Sequence, residues 1–309
     1  MQRLITPFGF HSTAAEVADG IHLAGKRVII TGGAAGIGLE TTRVIARAGA
    51  DITLAVRRPE AAQQVAEALR QATGNPAIQV RQLDVSDLGS VRRFVEDWSG
   101  PLDILINNAG VMAVPELERS PQGFELQFAT NFLGHFALAI GLHRSLAAAN
   151  GARVVSVSSS GHFFSPVIFD DLGFDFVPYT PIGAYGQSKS AAALLSVGIT
   201  QKWASDGILS NALNPGAIAT GLQKHSGGLK TPVERRKTTE QGASTTVLLA
   251  VSPLLDGISG RYFEDCNEAE LVTRRPTDFT GGYAAYALDP GNAERLWDVS
   301  RCLIKDAGQ

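Results

Sequence analysis

The sequence of 309 residues contains only two cysteines, Cys266 and Cys302. Two thiols cannot form a dense disulfide framework, and no CxxC pair indicates a zinc site. A reducing compartment is the simplest expectation, and the predicted location is the cytoplasm. The six histidines are scattered without the spacing of metal ligands, so no metal site is predicted.

Charged residues are also scarce, at 18%, and the 27 basic residues nearly balance the 30 acidic ones. No basic block stands out, so nucleic-acid binding is not predicted. No apolar run approaches the roughly 20 residues that span a bilayer, so no membrane segment is predicted either. Residues 1–25 carry charges and lack the apolar core of a secretory signal, and we expect a short arm that packs across the domain.

Short apolar runs alternate with amphipathic stretches from Lys26 onward. The predicted strands are Arg27–Thr31, Asp51–Val56, Ile78–Gln82, Leu102–Ile106, Arg153–Val157, Leu209–Asn214 and Gly260–Phe263. Strands that are apolar on both faces and separated by helices indicate a parallel sheet covered on both sides. Right-handed crossovers then give an α/β Rossmann fold, a doubly wound sheet of about seven strands. Because no Pro/Ser-rich linker divides the chain, residues 26–309 are predicted to form a single domain.

Two irregular segments, 161–183 and 221–237, interrupt this alternation. Each follows a predicted strand. Long loops at strand ends are usually functional or mobile, and open α/β sheets bind ligands at the carboxyl ends of their strands. We therefore predict that both segments border a substrate site.

A glycine-rich turn follows the first strand as Thr31-Gly32-Gly33-Ala34-Ala35-Gly36-Ile37-Gly38. Glycines at 32, 36 and 38 allow the backbone to approach a pyrophosphate, and the helix that starts there directs free N–H groups at the phosphates. The spacing is GxxxGxG, whereas GxGxxG is the commoner fingerprint. An ordinary tight turn is the alternative, but the position between a strand and a helix favours a dinucleotide site that includes Ala35 and Ile37.

Arg57 and Arg58 follow the second strand. An acidic residue at this point would bind the ribose hydroxyls of NAD, whereas arginine can clamp the 2′-phosphate of NADP. NADP(H) is therefore predicted in preference to NAD(H), with Arg57 favoured over Arg58, and a solvated surface pair is the alternative. Asp84 and Val85 are predicted to meet the adenine edge, and Asn107-Asn108-Ala109-Gly110 to lie beneath the cofactor.

Tyr185 and Lys189 stand four residues apart, in a helix predicted to run from Tyr185 to Ser205. Positions i and i+4 share a helix face, so the phenol and the ammonium would project together. A phenol with a pKa near 10 is a poor acid or base at neutral pH, and a nearby cation favours its phenolate form. We predict that Lys189 and the positive nicotinamide together lower the pKa of Tyr185 towards the working range.

Three consecutive serines, Ser158, Ser159 and Ser160, end the strand that precedes this helix. One of their hydroxyls could hydrogen-bond a substrate oxygen and stabilise charge that develops on it. Serines in loops are also common turn formers and helix caps, so the residues alone leave both readings open.

The order of these motifs resembles the short-chain dehydrogenase/reductase family. The motifs that carry the resemblance are the glycine turn, Asn107–Gly110, the serines, Tyr185 with Lys189, and Asn214-Pro215-Gly216. The match covers nearly everything from Lys26 to about Phe263. Asn107–Met112, Gly123–Phe128 and Thr130–Phe136 resemble in particular the retinol-dehydrogenase and WW-domain-oxidoreductase branch.

The resemblance implies an NADP(H)-dependent oxidoreductase that moves a hydride between the nicotinamide and a carbonyl or alcohol carbon. Tyr185 would be the general acid in reduction and the base in oxidation, Lys189 would bind the ribose, and Ser159 would position the substrate oxygen. Asn131 would hold a water that joins Lys189 to solvent as a proton relay. The residues implied to line the nicotinamide are Pro215, Gly216, Ile218 and Thr220.

The pocket wall is predicted to include Met112, His162, Phe163, Phe164 and Ala184. Because this set is mainly apolar, the expected substrate is a lipophilic or aromatic aldehyde, ketone or alcohol. A loop histidine such as His162 is also commonly structural.

In members of the family, helices equivalent to those around Asn131–Leu146 and Tyr185–Ser205 form a subunit interface, so a homodimer or homotetramer is implied. Two other functions stay open. One is reduction of a carbon–carbon double bond, disfavoured by the scarcity of cysteines. The other is a non-catalytic NADP-binding sensor or scaffold, disfavoured because Tyr185, Lys189 and the glycine turn are all retained. Residues 264–309 receive no predicted role.

Overall fold

A computed structural model of the chain describes residues 3–279 and 281–307. The strands are β1 (Arg27–Thr31), β2 (Asp51–Val56), β3 (Ile78–Gln82), β4 (Ile104–Asn107), β5 (Arg153–Val157), β6 (Leu209–Asn214), β7 (Ala217–Ile218), β8 (Arg236–Lys237), β9 (Tyr262–Glu264), β10 (Asn267–Glu268), β11 (Leu271–Val272) and β12 (Tyr283–Ala284). The helices are α1 (Ala14–Val17), α2 (Gly36–Arg47), α3 (Pro59–Thr73), α4 (Leu88–Glu96), α5 (Leu126–Phe128), α6 (Gly134–Ala148), α7 (Pro181–Trp203), α8 (Thr239–Gly242), α9 (Ser244–Val251) and α10 (Pro290–Asp306). A π-helical turn, Ala129–Leu133, joins α5 to α6.

The central sheet has the strand order β3-β2-β1-β4-β5-β6-β9-β10. Its neighbours pair in parallel from β3 through β9, and β10 adds an antiparallel edge to β9. The predicted single α/β domain with a doubly wound parallel sheet is confirmed. Strands β1, β2, β3, β5 and β6 have the predicted bounds, whereas β4 begins two residues later than expected, at Ile104.

Both faces of the sheet are buried, as the continuous apolar strands require. In β1, Val28 and Ile30 face a core that includes α2, α3 and α9, whereas Ile29 faces a core that includes α4, α6 and α7. Successive side chains of a strand point to opposite faces, so one strand contributes to two cores. The loops at the carboxyl ends of the strands are thereby left at one edge of the sheet.

Helix α7 begins at Pro181, four residues before the predicted start at Tyr185. Proline suits the first helical position because it has no N–H to satisfy there, and the Thr180 side chain caps the helix by accepting from the N–H of Gly183 at 3.3 Å. Tyr185 therefore lies one turn inside the helix, where the backbone is already fixed by regular hydrogen bonds. Its predicted partnership with Lys189 on one helix is retained.

The C-terminal helix α10 packs on α7, in a region for which the sequence offered no prediction. The Trp297 ring packs edge-on against Phe136 and Trp203, with centroid distances of 5.1 Å and 5.3 Å. A Cβ on Gly198 would lie 2.9 Å from the Trp297 ring, so glycine at this position permits the close approach. Residues 184–199 of α7 are all buried within the chain itself.

The N-terminal segment lies against β10. The N–H of Thr6 donates to Asn267 Oδ1 at 2.8 Å, and Asn267 Nδ2 donates to the carbonyl of Phe8 at 2.9 Å. The Lys237 ammonium lies 5.0 Å from the Phe10 ring centroid, so the same segment also reaches the loop before α8. Across residues 3–279 and 281–307, no helix is long and apolar enough to cross a membrane.

We predict that Trp297→Ala lowers the free energy of unfolding by about 3–5 kcal/mol, because it leaves a cavity between α7 and α10 that the surrounding rings cannot close. Chemical denaturation measures the change. Leu254→Ala is the control, since this side chain is 44% exposed and its loss should cost less than about 0.5 kcal/mol. Equal losses in the two variants would show that α10 does not stabilise the domain.

Candidate active site

The glycine turn after β1 leads directly into α2. Gly32 and Gly36 adopt positive φ angles of 66° and 54°, a conformation that side chains disfavour. Ala35 is the N-cap of α2, and its methyl group cannot accept a hydrogen bond from the first N–H groups of the helix. A Cβ on Gly38 would lie 2.6 Å from both Asn108 Nδ2 and the Gly32 carbonyl, so only glycine fits. The turn therefore leaves backbone donors and positive helix-dipole charge available to an anion.

A cavity of about 1000 Å³ opens beside this turn, at the carboxyl ends of β1, β4, β5 and β6. The predicted site residues that line it are Gly32, Ala35, Gly36, Ile37, Gly38, Asn108, Ala109, Gly110, Met112, Ser159, Phe164, Tyr185, Lys189, Pro215, Gly216, Ile218 and Thr220. Both predicted loops contribute, through residues between 161 and 182 and between 221 and 231. The fold thus brings together motifs that span nearly 190 positions of the sequence, from Gly32 to Thr220.

The residues predicted at the adenosine end lie outside the cavity wall. Arg57 and Arg58 are exposed at the end of β2. Asp84 is engaged in a local turn, where its carboxylate accepts from the N–H and hydroxyl of Ser86 at 3.0 Å and 2.6 Å. Val85 is buried, and its carbonyl lies so close to α6 that a Cβ on Gly134 would be 1.7 Å away. The two arginines are therefore solvent-exposed at the end of β2, and Asp84 and Val85 are engaged in local packing and not in the cavity lining.

Asn131 lies in the π-helical turn and does not line the cavity. Its Nδ2 donates to the Val111 carbonyl at 2.9 Å and to Ser188 Oγ at 2.8 Å, and its Oδ1 accepts from the N–H of Val111 at 2.8 Å. The Ser188 hydroxyl in turn donates to the Tyr185 carbonyl at 2.7 Å. The Asn131 side chain thus joins the loop after β4 to the turn of α7 that carries Tyr185. π-Helical turns are frequent at functional sites.

Tyr185 and Lys189 meet at the floor of the cavity, and both are almost fully buried. The Lys189 ammonium lies 5.7 Å from the Tyr185 ring centroid and donates to the Val157 carbonyl at 2.9 Å. Burial raises the pKa of Tyr185 to about 12, and a hydrogen bond with Ser159 opposes that rise. Burial lowers the pKa of Lys189 to about 8.

The rise in the pKa of Tyr185 is opposite to the lowering that Lys189 and the positive nicotinamide were predicted to cause together. Burial of the phenol outweighs the opposing contribution of Ser159, so the phenol remains protonated. The pair still provides a proton on Tyr185 and a largely cationic Lys189 at neutral pH.

The three serines have different surroundings. Ser158 is buried, and its hydroxyl donates to the Lys189 carbonyl at 2.7 Å. Ser159 accepts from the N–H of Gly161 at 3.0 Å, and its hydroxyl acts to lower the pKa of the Tyr185 phenol. Gly161 allows this approach, because a Cβ there would lie 2.5 Å from the Tyr185 ring. Ser159 is therefore the serine that faces the phenol.

Three residues predicted for the pocket wall, His162, Phe163 and Ala184, lie in the interior instead. His162 is fully buried, and its ring contacts the Ser159 carbonyl at 2.7 Å and the N–H of Ala284 at 3.1 Å. The short helical turn Ser160–Phe164 rotates this ring inward while Phe164 stays at the cavity. The sequence could not show this rotation, because its partner Ala284 lies 122 positions away.

Some cavity residues were not predicted individually, although Ile182 lies in the predicted segment 161–183 and the sequence left open whether Phe279 closes over the pocket or packs on the sheet. Ile182, Asp278 and Phe279 all line the cavity. Phe279 stacks on Phe164 with a centroid distance of 4.6 Å, and Asp278 pairs with Arg235 at 2.9 Å. The C-terminal segment therefore covers the outer part of the cavity and is tied to the loop 221–237. Within the described ranges, no group of three or more His, Cys, Asp or Glu side chains is arranged to hold a metal ion.

Two buried histidines predict a pH dependence of stability. Burial lowers the pKa of both His135 and His162 to about 4, whereas an unfolded histidine titrates near 6.5. Their contribution to stability is therefore full above about pH 6.5 and is lost as the pH falls towards 4. We expect the free energy of unfolding to fall by about 3 kcal/mol per histidine over this window. Denaturant unfolding of His162→Gln should give a shallower pH slope than the wild type, and identical slopes would contradict the assignment.

Comparison with known proteins identifies this arrangement. A family model described as short chain dehydrogenase matches residues 26–228. The chain is 50% identical to a probable oxidoreductase of Streptomyces antibioticus, over 92% of this chain and 99% of that protein. It is 34% identical to human retinol dehydrogenase 14, over 91% of this chain and 86% of that protein.

Solved structures agree. An uncharacterised protein from Mycobacterium paratuberculosis has a TM-score of 0.74 and 33% identity, with 94% of this chain and 97% of that chain covered. A gluconate 5-dehydrogenase from Burkholderia cenocepacia, in complex with NADP and tartrate, has a TM-score of 0.62 and 26% identity, with 78% and 94% covered. The chain is therefore an oxidoreductase of the short-chain dehydrogenase/reductase family.

Proposed function

We propose that this oxidoreductase uses NADP(H) to interconvert a carbonyl and an alcohol on a small lipophilic or aromatic substrate. The observation that carries the proposal is the meeting of Tyr185, Lys189 and Ser159 at the floor of a cavity that also contains the open N-terminus of α2. The dinucleotide, when bound, supplies or accepts the hydride. The chain itself must bind it, orient the substrate and move a proton.

The cavity fits a dinucleotide. Its volume of about 1000 Å³ is at the upper end of ordinary ligand sites, so it has room for a cofactor and a small substrate. The first N–H groups of α2 provide the pyrophosphate site. A Cβ on Gly36 would lie 3.3 Å from the Thr220 side chain. Because both residues line the cavity, a side chain at position 36 would narrow it at this point.

The proton chemistry follows from burial. A Tyr185 phenol with a pKa of about 12 is protonated at neutral pH, which is the form needed to donate to a carbonyl oxygen during reduction. In oxidation the phenol must first lose that proton. The positive charges of Lys189 and of the oxidised nicotinamide would both favour this loss. Ser159 lies against the phenol and can hydrogen-bond the same oxygen. Asn131 holds the Tyr185 turn through Ser188.

The substrate end of the cavity supports an apolar ligand. Met112, Phe164, Ile182 and Phe279 contribute apolar surface to it. The stacked pair of Phe164 and Phe279 presents a flat wall, which suits a ring or an extended hydrocarbon. Charged groups such as Lys230 lie on the flanking loop.

The choice of NADP(H) rests on the exposed Arg57 and Arg58 beside the cofactor site. Guanidinium groups bind phosphate through paired, charge-assisted hydrogen bonds. NAD(H) is the second candidate.

A homodimer or homotetramer stays a prediction. Because α10 packs on part of α7, we propose the exposed face of α6 as the surface for a partner. Light scattering measures the mass.

We predict that Tyr185→Phe lowers kcat by about 10²–10⁴-fold with carbonyl substrates, because it removes the proton donor. The dissociation constant for NADPH should stay near that of the wild type. Oxidation of NADPH with a panel of aromatic and aliphatic carbonyls measures turnover. Tyr283→Phe is the control, since this phenol lies outside the cavity wall. Tight NADPH binding without turnover by the wild type would favour a non-catalytic protein.

Arg57→Ala should weaken NADPH binding about 10–100-fold and leave NADH binding unchanged, because a charge-assisted hydrogen bond contributes about 1.5–3 kcal/mol. Fluorescence titration with each nucleotide separates the two effects. Arg47→Ala provides the control, because Arg47 is exposed at the opposite end of α2. A wild type that prefers NADH would overturn the role of Arg57 and leave the proton chemistry intact.

A further inference from the structure

The hydrogen bonds around His135 favour one tautomer. Thr31 Oγ1 accepts from the N–H groups of Asn108 and Ala109, each at 2.9 Å, which occupies both of its lone pairs. It therefore meets His135 Nε2 at 2.9 Å as a donor, with the Ile106 carbonyl at 3.3 Å as a longer second acceptor for the same proton. A nitrogen that accepts leaves the ring proton on the other nitrogen. His135 Nδ1 therefore donates to the Asn131 carbonyl, 3.3 Å away.

His162 repeats this pattern in another part of the fold. The N–H of Ala284 donates to its Nε2 at 3.1 Å, which again leaves the ring proton on Nδ1. Nδ1 then donates to the Ser159 carbonyl at 2.7 Å. The His162 carbonyl is held as well, because it accepts from the Tyr286 hydroxyl at 2.8 Å.

We propose that His135 and His162 are a matched pair of positioning residues, each of which donates from Nδ1 to the backbone carbonyl of a proposed active-site residue. The inference rests on the proposed function and adds two residues that do not line the cavity. His135 fixes Asn131, whose side chain reaches Tyr185 through Ser188. His162 fixes Ser159, whose hydroxyl lies beside the Tyr185 ring around Gly161 and acts to lower the pKa of the phenol.

The pair also explains what the C-terminal segment contributes. The contact of Ala284 with His162 links β12 to the serine turn after β5. On the other side, Thr31 links the end of β1 to the π-helical turn through His135. The two rings therefore reach Tyr185 indirectly from different elements of the fold, His162 through Ser159 and His135 through Asn131 and Ser188.

Asparagine and glutamine substitutions test the roles of the two ring nitrogens, Nδ1 and Nε2, separately. The Asn side-chain NH₂ can take the place of Nδ1 and still donate to the backbone carbonyl, whereas the Gln side chain reaches towards the partner of Nε2. We expect His135→Gln and His162→Gln to lower kcat by about 10–100-fold, with KM for NADPH within about threefold of the wild type. His135→Asn and His162→Asn should retain most of kcat. His143→Gln, on the same helix as His135 and paired with Asp206 at 2.8 Å, should leave kcat unchanged.

A loss of kcat that is equal in the Asn and Gln variants would overturn the proposal, as would a loss of thermal stability alone with kcat retained. The variants are compared well below their melting temperatures, so that unfolding is not mistaken for lost positioning.

NMR of ¹⁵N-histidine-labelled protein tests the same proposal without turnover. The wild type should show His135 and His162 as neutral rings with the proton on Nδ1, assigned through the two Gln variants. Protonation on Nε2, or a charged ring at pH 7, would overturn it. An inactive wild type with Nδ1–H rings would therefore refute the proposed function and leave the hydrogen-bond arrangement of the two histidines standing.

Discussion

Strands β1 and β4 pair in parallel, Val28 beside Ile104 and Ile30 beside Ile106, where the order of strands along the sheet reverses. Their carboxyl ends then diverge into the glycine turn and the loop that begins at Asn108. The Thr31 hydroxyl spans this point, because it accepts from two N–H groups of that loop. The cavity lies in the crevice between these two loops. The N-terminus of α2 and the proposed catalytic residues Tyr185 and Lys189 line it. If this pairing slipped by one residue, Thr31 would no longer reach the loop after β4.

Burial of α7 is the second constraint, and it has an electrostatic consequence. The helix crosses the interior with Tyr185 and Lys189 removed from water. Burial raises the pKa of Tyr185 and lowers the pKa of Lys189, and both shifts favour the uncharged side chain. The site therefore holds a protonated phenol, together with a lysine whose pKa of about 8 lies close to neutral pH. Glycines at 161 and 186 make this packing possible, since a Cβ at either would lie within 3 Å of atoms that cannot move away easily.

Much of the fold and part of the site could be predicted from sequence. Continuous apolar runs located β1, β2, β5 and β6 residue by residue, because strands buried on both faces are apolar throughout. The bounds of β3 were also predicted correctly, although only Ile78 in that strand is buried. The glycine turn, Ser159, Tyr185 and Lys189 could be placed near one cavity because each follows or faces a strand end. The pKa direction of Tyr185 could not be predicted, since it depends on how completely the surrounding elements exclude water.

The amino-acid sequence by itself determined the doubly wound domain and the family, and it suggested the residues proposed to bind a nucleotide and hold a proton, because these follow from local spacing and composition. Only the tertiary structure decided which side chains face the cavity. It turned His162 inward onto Ala284, brought Phe279 across onto Phe164 and covered α7 with Trp297. Each of these contacts joins segments more than 90 positions apart, and a sequence pattern carries no record of which distant residues will meet.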